Sequence, residues 1–184
     1  MTNALTDQDF WKSFWGQRTN LSYNPLSILF KDIFEEYVYP GSSCFEVGCY
    51  PGRYMVFLAK KFDCSVSGID FVPQFENLER FLLSENVIPD HLYNEDFLTF
   101  EPVQTFDFVY SLGFVEHFVN FQEVITKHIQ LVSEGGILFI ECPNFRGPVQ
   151  HFLHRVFDKQ NLQEHYLPAM DLTLWRKLLG LNHM

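Results

Sequence analysis

The stretch FEVGCYPGRYMVFLAKKF, residues 45–62, decides the fold of this 184-residue chain. It begins with an apolar segment, passes through glycines at positions 48 and 52, and ends in apolar residues at helical spacing. This order predicts a buried strand at 43–47, a tight glycine turn and a helix at 54–61. A glycine turn that opens a helix allows a ligand to approach bare backbone.

The rest of the chain repeats this alternation of strand and helix. Further strands are predicted at 64–70, 91–96, 106–112 and 135–142, and further helices at 25–38, 74–84, 122–132, 149–157 and 172–179. Because the strands are short, nearly continuous apolar runs, they favour a parallel sheet with helices on both faces. We therefore expect an α/β fold in one domain.

Composition limits the classes of partner. Hydrophobic residues make up 47% of the chain, enough for one core, and the formal net charge is -10. Lys and Arg are few and scattered, which argues against a nucleic-acid partner. A neutral or cationic small molecule suits this acidic surface better.

Cysteine usage and hydropathy suggest a compartment. The four cysteines form no CxxC pair and have no zinc-site spacing. The first fifteen residues lack the apolar core of a signal peptide, and no apolar run is long enough to span a bilayer. These features predict a protein of the reducing cytoplasm with no membrane association. An HxxH pair at positions 151 and 154 lacks a clear third ligand, so no metal site is predicted.

Acidic residues lie at or beside most of the predicted strand ends, which meet at one edge of a parallel sheet. Asp70 follows the glycine turn by about twenty residues, the position that accepts hydrogen bonds from ribose hydroxyls in nucleoside-binding sheets. A dinucleotide fingerprint would need glycines where Tyr50 and Arg53 stand, and no phosphate-binding GKS or GKT follows. The remaining interpretation is a nucleoside without a pyrophosphate, and the cationic S-adenosylmethionine fits it.

Five segments in order resemble a known family. FEVGCYPG, VSGID, NEDF, FDFVYS with the following EHF, and LVSEGGILFIECPN are similar to the motifs of class I S-adenosylmethionine-dependent methyltransferases over about residues 40–175. The resemblance implies a Rossmann-like sheet with strand order 3-2-1-4-5. Members usually finish with two more strands, so strands six and seven are expected to be missing, which leaves the edge of the fifth strand open to a homodimer.

The resemblance also implies the cofactor-binding residues. Those expected to contact or support S-adenosylmethionine are Glu46, Gly48, Cys49, Tyr50, Gly52, Asp70, Phe71, Asp96, Phe97, Ser111 and Leu112. Glu46 would support the glycine loop, Asp70 would hold the ribose, and Asp96 would take the adenine amino group. Ser111 and Leu112 would form the floor beneath the sulfonium.

Tyr50 departs from the family pattern, which has a third glycine at this position. Its side chain could form a lid or a pocket wall, or it could pack at the surface, and the sequence leaves these alternatives open. The aromatic residues Trp11, Phe14 and Trp15 could likewise fold over the cofactor or staple the first helix to the core.

Residues that could act on the acceptor follow the last two strands. His117 is the candidate general base, with a purely structural role as the alternative. Asn144 and Arg146 are candidates for binding the acceptor, against turn formation and a solvated arginine.

We thus expect a methyltransferase acting on a small molecule, by O-methylation of a sugar or secondary metabolite. The alternative is a shortened, non-catalytic cofactor-binding or scaffold domain, while the broken fingerprint disfavours a nicotinamide-dependent oxidoreductase. The predicted domain covers residues 1–184, with an N-terminal helical cap (1–40), a cofactor-binding core (41–145) and a C-terminal helical segment (146–184).

Overall fold

The computed structural model describes residues 4–16 and 21–180, so residues 1–3, 17–20 and 181–184 of the predicted domain lie outside the described residues. Its strands are β1 (Ser43–Val47), β2 (Ser65–Asp70), β3 (His91–Asn94), β4 (Phe106–Leu112) and β5 (Val132–Glu141). Its helices are α1 (Gln8–Gly16), α2 (Lys31–Tyr37), α3 (Arg53–Phe62), α4 (Phe75–Ser84), α5 (Phe121–Gln130), α6 (Pro148–Phe157), α7 (Lys159–Gln163) and α8 (Leu172–Leu178).

The described strands form one parallel sheet in the order β3-β2-β1-β4-β5, which confirms the predicted fold class and strand order. The register brings Val47 beside both Ile69 and Ser111, and pairs Asp70 with Asn94. The carboxyl ends of the strands are therefore aligned at one edge, where the chain turns into loops or helices.

The core has two parts, one on each face of the sheet. On one face, residues of α2, α3 and α4 pack with the sheet around Phe34, which is fully buried and contacts the rings of Phe108 and Tyr110. On the other face, α5 packs against Phe45 and Val109. Burial on both faces explains why β1, β2 and β4 read as nearly continuous apolar runs.

The predicted helix at 25–38 is wrong in its first half. A 3₁₀ turn (Pro25–Ser27) is followed by extended backbone at Ile28, and α2 starts only at Lys31, after Phe30 adopts a left-handed φ of 57°. The Phe30 ring contacts Phe139 on β5 at 5.7 Å between centroids. This aromatic packing against the sheet replaces the continuous helix that the apolar spacing predicted.

Strand β5 begins earlier than predicted. The predicted helix at 122–132 ends at Gln130, and Val132 already pairs with Phe106. A register shift between Phe106 and Phe108 marks a β-bulge, with a left-handed φ of 77° at Gly135. The bulge allows the strand to continue through Gly135 and Gly136, where the sequence pattern predicted that the strand would begin.

None of the described helices is both long and apolar enough to cross a membrane.

Candidate functional site

A cavity of about 420 Å³ opens at the carboxyl edge of the sheet. Its lining comes from α1, from the loops after β1, β2, β3 and β4, and from the 3₁₀ turn Val115–His117. Predicted site residues that line it are Gly48, Tyr50, Asp70, Phe71, Asp96, Phe97, Leu112 and His117. The fold thus brings residues that are far apart in sequence to one concave site of ligand size.

The glycine turn after β1 is held by the end of β2. The backbone N–H groups of Gly48 and Cys49 donate to the carbonyl of Ile69 at 2.9 and 3.1 Å, and that of Tyr50 donates to Asp70 Oδ2 at 2.8 Å. Gly48 has a φ of 75°, and a Cβ there would lie 2.8 Å from Phe114 Cδ2. Glycine is therefore required at this position by both conformation and space.

Asp70 is an acid in an apolar setting. Burial raises the pKa of its carboxyl to about 6, against the hydrogen bonds from the backbone N–H groups of Tyr50 and Phe71, which lower it. A carboxylate has about four acceptor positions, so acceptor capacity remains for hydroxyl groups of a ligand.

Tyr50 forms a wall of the cavity, covered by α1. Its ring contacts the Trp15 ring at 5.1 Å between centroids, and its hydroxyl shares a hydrogen bond with the Asn77 side chain. Only 6% of the residue is exposed. The surface-packing alternative for Tyr50 is thereby ruled out, and the side chain fits beside the glycine turn.

The loops after β2 and β3 supply a second acid and two aromatic rings. Asp96 Oδ1 accepts a hydrogen bond from the Leu98 N–H at 2.9 Å, which fixes the turn after β3. Phe97 is buried, whereas Phe71 is 46% exposed at the cavity mouth.

Four predicted cofactor residues do not line the cavity: Glu46, Cys49, Gly52 and Ser111. Glu46 is buried below it and accepts a hydrogen bond from the Tyr110 hydroxyl at 3.0 Å, and burial raises its pKa well above the usual range. Gly52 faces α4, because a Cβ there would lie 2.5 Å from Leu78 Cδ1. These residues shape the turn and the helix packing that carry the site.

The structure places Asn144 and Arg146 outside the cavity lining. Asn144 Oδ1 accepts a hydrogen bond from the Arg146 N–H at 3.1 Å, and the Arg146 guanidinium pairs with Asp171 at 2.8 Å. Turn formation and an ion pair account for both residues without an acceptor.

His117 lies at the cavity wall on the 3₁₀ turn after β4. Its Nδ1 is 2.8 Å from the Glu164 carbonyl oxygen, and the Trp11 ring stands edge-on against the imidazole at 5.2 Å. Burial lowers its pKa to about 4, so the ring is neutral at pH 7. Trp11 and Trp15 both line the cavity and also pack against the core, so α1 covers this side of the cavity and the two interpretations of these tryptophans are compatible.

Two titratable side chains stand behind His117. Glu116 is 1% exposed, and burial raises its pKa to about 8. The His165 ring lies 4.7 Å from the His117 ring between centroids. His165 was not predicted as a site residue, because only the packing of the segment after α7 brings it beside His117.

Several lining residues were not predicted, namely Ala4, Thr6, Asp7, Gln8, Ile69, Val72, Glu95, Leu98, Gly113, Phe114 and Phe118. Glu95 directly follows the end of β3, and Gly113 and Phe114 are the first two residues after β4, so the rule that loops after parallel strands carry the site would have included them. The residues before α1 had no such signal.

Comparison with known proteins agrees with this fold. Residues 27–182 match the family model described as a methyltransferase domain. The chain belongs to this family of methyltransferase domains. The match confirms the resemblance to class I S-adenosylmethionine-dependent methyltransferases.

Individual relatives of this methyltransferase domain have low sequence identity to it. (S)-coclaurine N-methyltransferase of Papaver somniferum is 26% identical over 137 residues, which cover 73% of this chain and 38% of that protein. The chain therefore spans well under half of the curated relative. A crystal structure of coclaurine N-methyltransferase with N-methylheliamine and SAH has a TM-score of 0.58 at 22% identity, covering 77% of this chain and 46% of that one. A methyltransferase from Thiobacillus denitrificans, in complex with S-adenosyl-L-homocysteine, has a TM-score of 0.67 at 17% identity, covering 91% and 69%.

Proposed function

We propose that this methyltransferase domain transfers a methyl group from S-adenosylmethionine to the nitrogen of a small amine. The observation that carries the proposal is the meeting of Gly48, Asp70 and Asp96 in one cavity at the carboxyl edge of the sheet. Bare backbone at the turn, a carboxylate for ribose hydroxyls and a carboxylate for an amino group are the donor and acceptor types that this cofactor needs.

The cavity fits a cationic cofactor by its charge and by its walls. Asp7, Asp70, Glu95 and Asp96 contribute carboxyl groups, and none of the described residues that line the cavity is a lysine or an arginine. Aromatic rings of Trp11, Trp15, Tyr50, Phe71, Phe97, Phe114 and Phe118 make up much of the rest. Carboxylates and aromatic faces both attract sulfonium and ammonium groups.

The residues of this chain have simple roles in the proposed reaction. When bound, the cofactor supplies a methyl group that is activated by its positive sulfur. Asp70 and Asp96 orient the nucleoside, α1 closes the cavity against water, and Trp11 and Tyr50 wall the reacting side. Nε2 of His117 accepts the proton that the acceptor loses, since Nδ1 is already bonded to the Glu164 carbonyl.

The choice of nitrogen over oxygen rests on the relatives. The sequence predicted O-methylation of a sugar or secondary metabolite, whereas the curated relative named above is an N-methyltransferase of an alkaloid. The acidic lining also favours an amine, because it attracts the protonated form of such a substrate.

A transfer assay with isotope-labelled S-adenosylmethionine tests the proposal. A panel of secondary amines, which become tertiary amines on methylation, is compared with matched alcohols and phenols. His117→Ala is assayed beside the wild-type protein. Label in amines, with activity reduced at least tenfold by His117→Ala, supports the proposal. Label in hydroxyl compounds alone would reassign the acceptor atom.

A non-catalytic cofactor-binding module is the second candidate, and the tyrosine in the glycine turn favours it. Tyr50 occupies space that a glycine would leave to the ligand. Saturable binding of S-adenosylmethionine without transfer to any acceptor would select this alternative.

Two further proposals concern the setting of the protein. The four cysteines are free thiols, as a reducing cytoplasm would keep them.

Strand β5 is an edge of the sheet, and a second copy of the chain is proposed to cover it. Light scattering that reports a monomer at high concentration would refute the dimer.

A further inference from the structure

Three potential metal ligands converge behind the cavity wall. Glu116 and His117 come from the 3₁₀ turn after β4, and His165 comes from the segment after α7. One ligand atom from each residue lies within 4.8 Å of the others. The backbone joins the same two segments, since the Tyr166 N–H donates to the Glu116 carbonyl at 2.7 Å.

Both imidazoles are oriented by backbone carbonyls. His117 Nδ1 lies 2.8 Å from the Glu164 carbonyl oxygen, and His165 Nδ1 lies 2.6 Å from that of Asn161. Since a carbonyl can only accept, each Nδ1 carries the hydrogen and each Nε2 keeps its lone pair. A histidine whose second ring nitrogen donates to a carbonyl is the usual arrangement in metal sites.

One carboxyl oxygen of Glu116 is buried without a hydrogen-bond partner in the described part of the chain. Its Oε2 is buried and has no hydrogen-bond partner among the described residues, and none of the ion pairs found there includes it. Neighbouring titratable groups do not compensate it, because Glu141 and Cys142 can add only negative charge. A buried carboxyl oxygen without a hydrogen-bond partner is costly, so a cation bound at Oε2 would relieve it.

We propose that Glu116, His117 and His165 bind a divalent transition-metal ion, with Zn²⁺ the ion that best fits two imidazoles and one carboxylate. Three such protein ligands leave a fourth position open. Tetrahedral Zn²⁺ ligands lie roughly 3.4 Å apart, so ligand atoms that lie within 4.8 Å of one another must close by at most roughly 1.4 Å.

The ion would regulate the site under the proposed function. The ion would bind Nε2 of His117, so this nitrogen could no longer accept a proton from the methyl acceptor. It also ties the turn after β4 to the segment after α7. Metal binding therefore stabilises the fold and inhibits methyl transfer, and this second effect rests on the proposed function.

The test measures metal binding directly on untagged protein that has been stripped with a chelator and dialysed. Zn²⁺ is titrated by calorimetry with bound metal counted by mass spectrometry, and Co²⁺ is followed by its visible absorption. We expect one ion per chain, with tetrahedral cobalt absorption. Glu116→Gln and His165→Ala should each weaken binding at least tenfold, whereas His165→Asp, which keeps a ligand, should weaken it less.

His91→Ala is the matched control, because His91 is exposed at the start of β3, an edge strand that β2 and β1 separate from β4. It should bind metal like the wild-type protein. Absence of stoichiometric binding by the wild-type protein overturns the inference, and so do Glu116 and His165 variants that bind as tightly as it does. If those variants fail to fold, the wild-type stoichiometry and cobalt spectrum decide.

The outcome is separable from that of the proposed function. If the protein binds metal stoichiometrically but the metal-free protein shows no methyl transfer, the proposed function alone is refuted. Methyl transfer without metal binding would refute the metal site alone.

Discussion

The backbone N–H of Tyr50 and the carboxylate of Asp70 are joined by a 2.8 Å hydrogen bond that ties the glycine turn after β1 to the end of β2. The bond joins residues twenty positions apart in the sequence, and both residues line the cavity. Asp70 therefore both shapes the turn and presents acceptor positions to a ligand. Its protonation should affect cofactor binding.

Binding of S-adenosylmethionine should weaken at low pH. Burial raises the pKa of Asp70 to about 6, so the ionised acceptor is present above that pH and is lost below it. The dissociation constant should rise by up to about tenfold between pH 7 and pH 5, measured by calorimetry. Burial also raises the pKa of the neighbouring Glu46 and Cys49, both below the cavity.

Asp70→Asn is the control for this profile, because it cannot ionise. Its affinity should be lower at pH 7 and nearly independent of pH. A wild-type affinity that is constant from pH 5 to pH 7 would refute this role of Asp70.

Removal of the Tyr110 hydroxyl should destabilise the fold. The hydroxyl donates to Glu46 at 3.0 Å in a fully buried environment. Tyr110→Phe leaves the Glu46 carboxyl without this donor and should lower the free energy of unfolding by about 1–3 kcal/mol. Urea denaturation measures the loss, and Tyr39→Phe at a 71% exposed site is the control that should change stability little.

The two glycines with left-handed backbone on either side of β1 give a matched comparison. Gly41 and Gly52 have φ values of 79° and 90°, but a Cβ at Gly41 meets open space whereas one at Gly52 lies 2.5 Å from Leu78 Cδ1. Gly41→Ala should cost about 1 kcal/mol from backbone strain alone. Gly52→Ala should cost about 1–3 kcal/mol more, because α4 must move. Equal losses in thermal or chemical unfolding would contradict the close packing of α4 on the turn.

The N-terminal helix should contribute to ligand affinity. Trp15 lines the cavity and packs on Tyr50 at 5.1 Å between ring centroids. Trp15→Ala should weaken cofactor or acceptor binding about tenfold, since it removes an aromatic wall and admits water. Leu26→Ala, at an 87% exposed position, is the control. Unchanged binding by Trp15→Ala would mean that α1 does not cover the ligand.

The sequence was sufficient for the sheet and for the residues next to strand ends. The apolar runs at 43–47 and 106–112 coincide with β1 and β4, because burial on both faces leaves little room for polar residues. Asp70 and Asp96 could be predicted because they lie at or just after the carboxyl ends of parallel strands.

Features that depend on long-range packing were not predictable from local pattern. Phe30 breaks a regular helical spacing in order to reach Phe139, and His165 meets His117 across 47 intervening residues. Gly52 was assigned to the ligand, whereas the packing of Leu78 explains it. In each case a tertiary contact decides the structure, and the local sequence pattern does not show which residues form that contact.

Calorimetric titration with S-adenosylmethionine tests the central claim most directly, using the wild-type protein, Asp70→Ala and the exposed control Asp90→Ala. We predict one binding site per chain, equal affinity for the wild-type protein and Asp90→Ala, and at least tenfold weaker binding by Asp70→Ala. Absence of binding by the folded wild-type protein, or unchanged affinity in Asp70→Ala, would contradict the assignment of this cavity as the cofactor site.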